Sequence, residues 1–301
     1  MNSFKIKGNR VVITGGAGGI GSALVKGFID AGSEVLVSAR EASQFESLKE
    51  FLTANNSPTA KLHYALADFS DPKQCGAFIE QARKTLGGID VLVIAHGGVK
   101  PGPALETSDE VWLQQIQVNL SSYFQLAKAA AGEMIERGSG KIITFASMLT
   151  FQGGLNASTY AAAKGGVGQM TKALSNEWAK SGVNVNAIAP GYIKTKLNKH
   201  IWTDPIRNDQ ILSRLTSGRW GVPEDMVGPT LFLASEASDY MHGVILPVDG
   251  GWLSRCPMSD LASIVSPFLA SSVRIPNGKC QLRSNGAPKI SSTLHVPTTL
   301  I

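Results

Sequence analysis

The chain has 301 residues, 43% of them apolar, 17% charged and 7% aromatic, which excludes collagen-like, coiled-coil and wholly disordered architectures and leaves a globular protein with a substantial core. The formal charge is +5. In the segment 256–301, Arg274, Lys279, Arg283 and Lys289 stand against Asp260 alone, so the first 255 residues are nearly neutral and charge gives no argument for nucleic acid.

From residue 10 onward, short Val- and Ile-rich runs alternate with longer amphipathic segments. In chain order the spacing predicts a strand over 10–14, a helix over 22–31, strands over 34–38 and 61–66, a helix over 72–86, a strand over 90–95 and one long helix over 108–137. A strand over 141–146, a helix over 158–180, a strand over 183–189, a helix over 223–234 and a strand over 244–248 follow. Most of these runs lack polar alternation, as strands buried on both faces do, so the pattern predicts an α/β, doubly wound Rossmann-type fold: a parallel sheet covered by helices. The stretch 191–220 is too long for an ordinary connection and is the candidate substrate lid. From residue 256 the composition turns to Ser, Pro and Asn without a sustained period. The expected organisation is therefore one domain over 1–255 followed by a poorly ordered extension over 256–301.

Cys75, Cys256 and Cys280 are widely spaced, with no CxxC pair and no clustered His, so neither a disulfide framework nor a metal site is expected. The N-terminus has no signal-like apolar core and no uncharged apolar stretch is long enough to cross a bilayer. A cytoplasmic protein with no membrane partner is the expectation.

Directly after the first strand stands Thr14-Gly15-Gly16-Ala17-Gly18-Gly19-Ile20-Gly21, which leads into a helix. Gly15, Gly19, Ile20 and Gly21 mark a turn through which backbone can approach a pyrophosphate while helical N–H groups point at it. After the second strand comes Val37-Ser38-Ala39-Arg40, with no carboxylate until Glu41. Arg40, supported by the Ser38 hydroxyl, favours the 2′-phosphate of NADP(H), with NAD(H) left open and a solvated surface arginine as the alternative. Further on, Tyr160 and Lys164 are spaced i,i+4 on one helical face, where an ammonium can lower the pKa of a phenol. Ser147 ends the fifth strand and Asn119 lies within the long helix.

Taken together, Thr14 to Gly21, Ala67-Asp68, Asn119, Ser147, Tyr160, Lys164 and Pro190-Gly191 resemble, in order and spacing, the compact short-chain dehydrogenase/reductase family over residues 4 to about 255. The resemblance implies a seven-stranded parallel sheet, hydride transfer between a nicotinamide and an alcohol or ketone, and a homo-oligomer, tetramer or dimer. It implies Tyr160 as general acid or base, Ser147 bonded to the same substrate oxygen, Lys164 lowering the Tyr160 pKa and holding the nicotinamide ribose, and Asn119 anchoring a relay water. It also implies Asp68 at the adenine amino group, Gly97 close to the adenosine ribose, and Ile193 and Thr195 at the carboxamide. A helix-entry cap is the alternative for Asp68, and a kink residue for Asn119. One departure stands out: where the family commonly has Asn-Asn-Ala-Gly, this chain reads Ile94-Ala95-His96-Gly97, so altered cofactor contacts are expected. His96 either compensates or is structural.

Ala146 to Gly154, Asn176-Glu177-Trp178-Ala179, Gly218-Arg219-Trp220-Gly221 and Val248 to Trp252 look like the family branch that includes 2-dehydro-3-deoxy-D-gluconate 5-dehydrogenase and gluconate 5-dehydrogenase. A sugar acid is accordingly the expected small-molecule substrate, with Gln152 and His200 as its candidate contacts and Lys194, Lys196, Lys199, Arg207, Arg214 and Arg219 as lid cations. The alternatives are an NADPH-dependent ketoreductase of a specialised biosynthetic pathway and a non-catalytic nucleotide-binding module.

Overall fold

The computed structural model describes residues 4–6 and 10–254, and Met1–Ser254 form one compact unit. The expected extension over 256–301, with Cys256 and Cys280, lies outside the described residues. Seven parallel strands run β1 (Arg10–Thr14), β2 (Glu34–Ala39), β3 (Leu62–Leu66), β4 (Val91–Ile94), β5 (Gly140–Phe145), β6 (Val183–Pro190) and β7 (Ile245–Val248), in the spatial order β3-β2-β1-β4-β5-β6-β7. Each strand lies where the apolar runs placed it. Pleating divides every central strand between two cores: Val12, Leu36, Leu92 and Ile94 face one side, and Val11, Ile13, Val35, Val37, Val91 and Val93 the other. Pro247, which cannot donate to a ladder, sits in the edge strand β7, where that deficit is tolerated.

Helices cover both faces: α1 (Gly19–Asp30), α2 (Ala42–Ala54), α3 (Pro72–Leu86), α4 (Asp109–Ile116), α5 (Ser122–Arg137), α6 (Ser158–Trp178), α7 (Lys199–Trp202), α8 (Pro205–Leu212) and α9 (Val227–Ala234). Phe28 of α1 and Leu48 and Leu52 of α2 bury themselves in one core, while Phe78 of α3, Tyr123 and Leu126 of α5 and Val167 of α6 fill the other. The chain leaves β1 toward β2 and later returns to β4 on its other side. The carboxyl ends of β1 and β4 therefore border the crevice that doubly wound sheets use for ligands.

Two expectations change. The long helix over 108–137 is not uniform: α4 and α5 are joined by a wider π-type turn over Gln117–Ser121 centred on Asn119. The buried Asn119 amide bonds both Gln115 O of the preceding turn at 3.0 Å and the sequence-distant Gly98 O at 3.0 Å, coupling the helix to the loop after β4. The lid, in turn, is partly helical rather than open loop. Ile211, Leu215, Trp220 and Trp252 form a third small core with Met148, which follows Ser147, so the lid is anchored beside the end of β5. No helix among the described residues is long and apolar enough to cross a membrane, and no group of three or more His, Cys, Asp or Glu among them could hold a metal ion.

Candidate active site

The glycine turn folds on itself at the end of β1. Gly15 has φ +72, and its carbonyl accepts from Gly18 N at 3.0 Å. A Cβ on Gly21 would lie 1.9 Å from that same carbonyl, so only glycine lets the first turn of α1 approach so closely. The N-cap of α1, Gly18, has no side chain to satisfy the first N–H groups of the helix, which leaves them for an anion. Ser38 is buried and its hydroxyl accepts from Gly15 N at 2.9 Å, so it holds the turn in place. Arg40 follows β2, exposed, and its guanidinium makes no hydrogen bond or ion pair among the described residues. The residues thus fit a phosphorylated dinucleotide: a donor-rich turn without a competing carboxylate, and beside it a free cation.

Asp68 is exposed after β3, and its Oδ1 accepts from Ser70 N at 3.0 Å. It is not the helix cap, since Asp71 caps α3 by accepting from Lys73 N at 3.0 Å. At the start of the lid, Ile193 is buried and bridges Gly221, while Asn198 pins the turn by donating to Ile193 O at 2.8 Å and accepting from Thr195 N at 2.9 Å. A Cβ on Gly19 would meet Thr195 Cγ2 at 2.9 Å, so lid and glycine turn are direct neighbours.

His96 fills the departure from Asn-Asn-Ala-Gly. Its Nδ1 lies 2.7 Å from Thr14 Oγ1 and its Nε2 2.9 Å from Ser122 Oγ, so one imidazole ties the ends of β1 and β4 to the start of α5. Thr14 Oγ1 accepts from Ala95 N and Ser122 Oγ donates to Val118 O. The network therefore assigns a neutral ring, with the proton on Nε2 and the lone pair of Nδ1 facing the Thr14 hydroxyl. Burial, and then the Lys164 charge, hold its pKa down to about 3. A ring so engaged is no proton donor at neutral pH. Gly97 has φ +154, and a Cβ there would come within 2.8 Å of Asn119 Oδ1.

Ser147, Tyr160 and Lys164 converge from β5 and α6. Ser147 opens a 3-10 turn over Met148–Thr150, and its Oγ accepts from Leu149 N at 3.1 Å. Thr150 ties that turn to α6 by donating to Lys164 O at 2.8 Å. Burial pushes the Tyr160 phenol up to about 12, with a hydrogen bond from Ser147 acting in the opposite direction. Burial brings the Lys164 ammonium down to about 7. This corrects the expectation that Lys164 lowers the Tyr160 pKa. Desolvation dominates, and two of the ammonium's N–H groups are committed elsewhere, to Phe145 O at 2.6 Å and to the Tyr123 hydroxyl at 3.0 Å, with the Tyr160 ring centroid 5.7 Å from Nζ. Asn119 lies nearby, its amide committed to Gly98 and Gln115.

Tyr123 and Ser122 are the polar residues here that the sequence reading did not single out; the one hint for Tyr123 is its position one turn after Asn119. Gln152 is half-buried just after the Met148–Thr150 turn. His200 is exposed on α7 and makes no hydrogen bond or ion pair among the described residues, so nothing joins it to Ser147 or Tyr160. Among the lid cations, Arg219 is spent on Asp225 at 2.7 Å, Lys194 lies over Trp202 and Arg214 over Trp252. The charges of Arg214 and Arg207 both reach Tyr192, whose phenol burial raises.

Residues 9–206 match the family described as short chain dehydrogenase. The 2-dehydro-3-deoxy-D-gluconate 5-dehydrogenase of Pseudoalteromonas atlantica is 44% identical over 259 residues, covering 85% of this chain and 100% of that protein. Among solved structures, a 2-deoxy-D-gluconate 3-dehydrogenase, so described provisionally, from Agrobacterium tumefaciens with bound NADP has a TM-score of 0.77 at 40% identity, covering 85% of this chain and 100% of that one. A gluconate 5-dehydrogenase from Burkholderia cenocepacia in complex with NADP and tartrate has a TM-score of 0.79 at 33% identity, covering 85% and 99%.

Proposed function

The chain belongs to the short chain dehydrogenase family, and from that premise we propose that it is an NADP(H)-dependent oxidoreductase acting on the secondary alcohol or ketone of a gluconate-type sugar acid. The observation that carries this reading is the convergence of Tyr160, Ser147 and Lys164 beside a glycine turn and an Arg40 unpaired among the described residues. When bound, the nicotinamide supplies or takes up the hydride. The chain's own residues do the rest.

Tyr160, protonated at neutral pH, is the general acid that donates to the carbonyl oxygen in the reducing direction; in the oxidising direction its phenolate is the base. Ser147 donates to the same oxygen and steadies the negative charge that develops there. Lys164 offers the one N–H not taken by Phe145 and Tyr123 to the ribose while its charge faces Tyr160, and Asn119 fixes the loop carrying Gly97 against the cofactor side of the cleft. Arg40 pairs with the 2′-phosphate, the first turn of α1 with the pyrophosphate, Asp68 with the adenine amino group, and Ile193 and Thr195 with the carboxamide. Gln152 and His200 are proposed at the polyol. For the carboxylate end, Lys194, Lys196, Arg207 and Arg214 are cations without ion-pair partners among the described residues. Self-association of the chain is part of the same reading and rests on the family.

The test is an absorbance assay of NADPH oxidation against a panel of 5-keto sugar acids, simple ketones and neutral keto-sugars. Turnover confined to the acids is expected. Equal turnover of the neutral sugars would remove the carboxylate from the reading, and no turnover of any carbonyl would remove the enzyme.

A further inference from the structure

Tyr123 is a buried titratable side chain that the proposed mechanism leaves idle. It stands on α5 with no exposed surface, and its hydroxyl lies between two groups. It accepts from Lys164 Nζ at 3.0 Å and donates to His96 O at 2.5 Å, while the ring centroid lies 4.4 Å from the same ammonium. An ammonium carries three N–H donors. Phe145 O takes one and Tyr123 a second, so the third is left for the cleft, on the side of Tyr160. The donation runs one way, from Lys164 through Tyr123 into a backbone carbonyl that passes no proton on. The contact thus holds Lys164 without draining its proton.

We propose that Tyr123 is a positioning residue for Lys164, supplying from a side chain the hydroxyl that fixes the ammonium from behind and aims its remaining N–H at the cleft. The inference rests on the reading of Lys164 as the cation that serves Tyr160 and the ribose. The titratable groups facing Nζ are Tyr160 on its own helix, Tyr123 on α5 and His96 after β4. His96 is neutral and both phenols are protonated at neutral pH, which leaves Lys164 as the member that titrates near neutrality.

Tyr123→Phe keeps the ring and its packing and deletes the oxygen alone. The charged form of Lys164 loses an acceptor, so its titration moves down by about one pH unit, and the charged fraction at pH 8 falls about tenfold. Two readouts follow. NADPH-dependent reduction should drop about tenfold at pH 8 yet converge with wild type near pH 5.5, with KM for the sugar acid unchanged. A titration of 13Cε-lysine-labelled protein by NMR, with the Lys164 signal assigned by its loss in Lys164→Met, should show the same downward displacement with no turnover involved. Superimposed titrations, or a loss of rate equal at both pH values, overturn the proposal and leave Tyr123 as packing. Tyr123→Met, which also lacks a hydroxyl, replaces Tyr123→Phe if the latter does not fold. The parallel Lys164→Met assay separates the two failures: if it retains turnover, the reading of the site falls, whereas an inactive Lys164→Met beside a wild-type-like Tyr123→Phe removes the positioning role alone.

Discussion

Replacing His96 by Gln should abolish a specific part of the acid sensitivity of folding. In the folded chain the imidazole is neutral down to about pH 3, whereas an unfolded histidine titrates near 6.5. Between those values the unfolded chain binds the extra proton, so stability is complete above about 6.5 and declines as pH falls toward 3. At about 1.36 kcal/mol per pH unit, moving from pH 7.5 to pH 5 should cost wild type about 2 kcal/mol through this one residue. Carboxylates contribute little in that window, since unfolded Asp and Glu titrate near 4. Urea unfolding of both proteins at the two pH values measures the effect. The Gln variant should be less stable at pH 7.5, having lost the bridge between Thr14 and Ser122, and should lose about 2 kcal/mol less than wild type on acidification, keeping only the smaller loss that arises as Lys164 is protonated below its lowered pKa of about 7. A variant that loses as much stability as wild type on acidification would show that His96 is not the neutral tie between β1, β4 and α5 described above.

Arg40→Ala should weaken NADPH by about 1.5–3 kcal/mol, or about 10- to 150-fold, and leave NADH unchanged in a fluorescence titration, as loss of one charge-assisted contact requires. Because the phenol of Tyr160 retains its proton to about 12, oxidation of the alcohol should rise close to tenfold per pH unit through the alkaline range while reduction does not depend on that ionisation; a flat oxidation profile would contradict the assignment of the base. Truncation after Arg255 should leave NADPH affinity and Tm nearly unchanged, because the curated relative at 44% identity is matched along its whole length by 85% of this chain. Loss of folding in the truncated chain would show that 256–301 belongs to the domain.

The strands were readable because buried parallel strands are written as short β-branched runs, and Val91–Ile94 shows the pattern at its plainest, with every residue buried. Spacing alone put Tyr160 and Lys164 on one helical face, since a helix brings i and i+4 together, whereas Ser147 was singled out by the family resemblance rather than by any periodicity. What spacing could not supply was the balance of forces inside the site. Burial outweighs the Ser147 hydrogen bond at Tyr160, and two of the Lys164 ammonium's N–H groups are committed to Phe145 and Tyr123. The break between α4 and α5 was present in the sequence only as the kink alternative for Asn119, because its form rests on the bond between Asn119 and Gly98, a contact no local propensity encodes. His96 likewise looks like an isolated histidine until Thr14 and Ser122 are brought to its two nitrogens.

The most direct test of proton transfer from Tyr160 is the turnover of Tyr160→Phe with NADPH and an accepted 5-keto sugar acid, measured beside its NADPH affinity. The ring and its packing survive that change and only the donor is lost, so turnover should fall by at least about 100-fold while the dissociation constant for NADPH stays within about twofold of wild type. Turnover near the wild-type level would contradict the account and assign the proton to another donor.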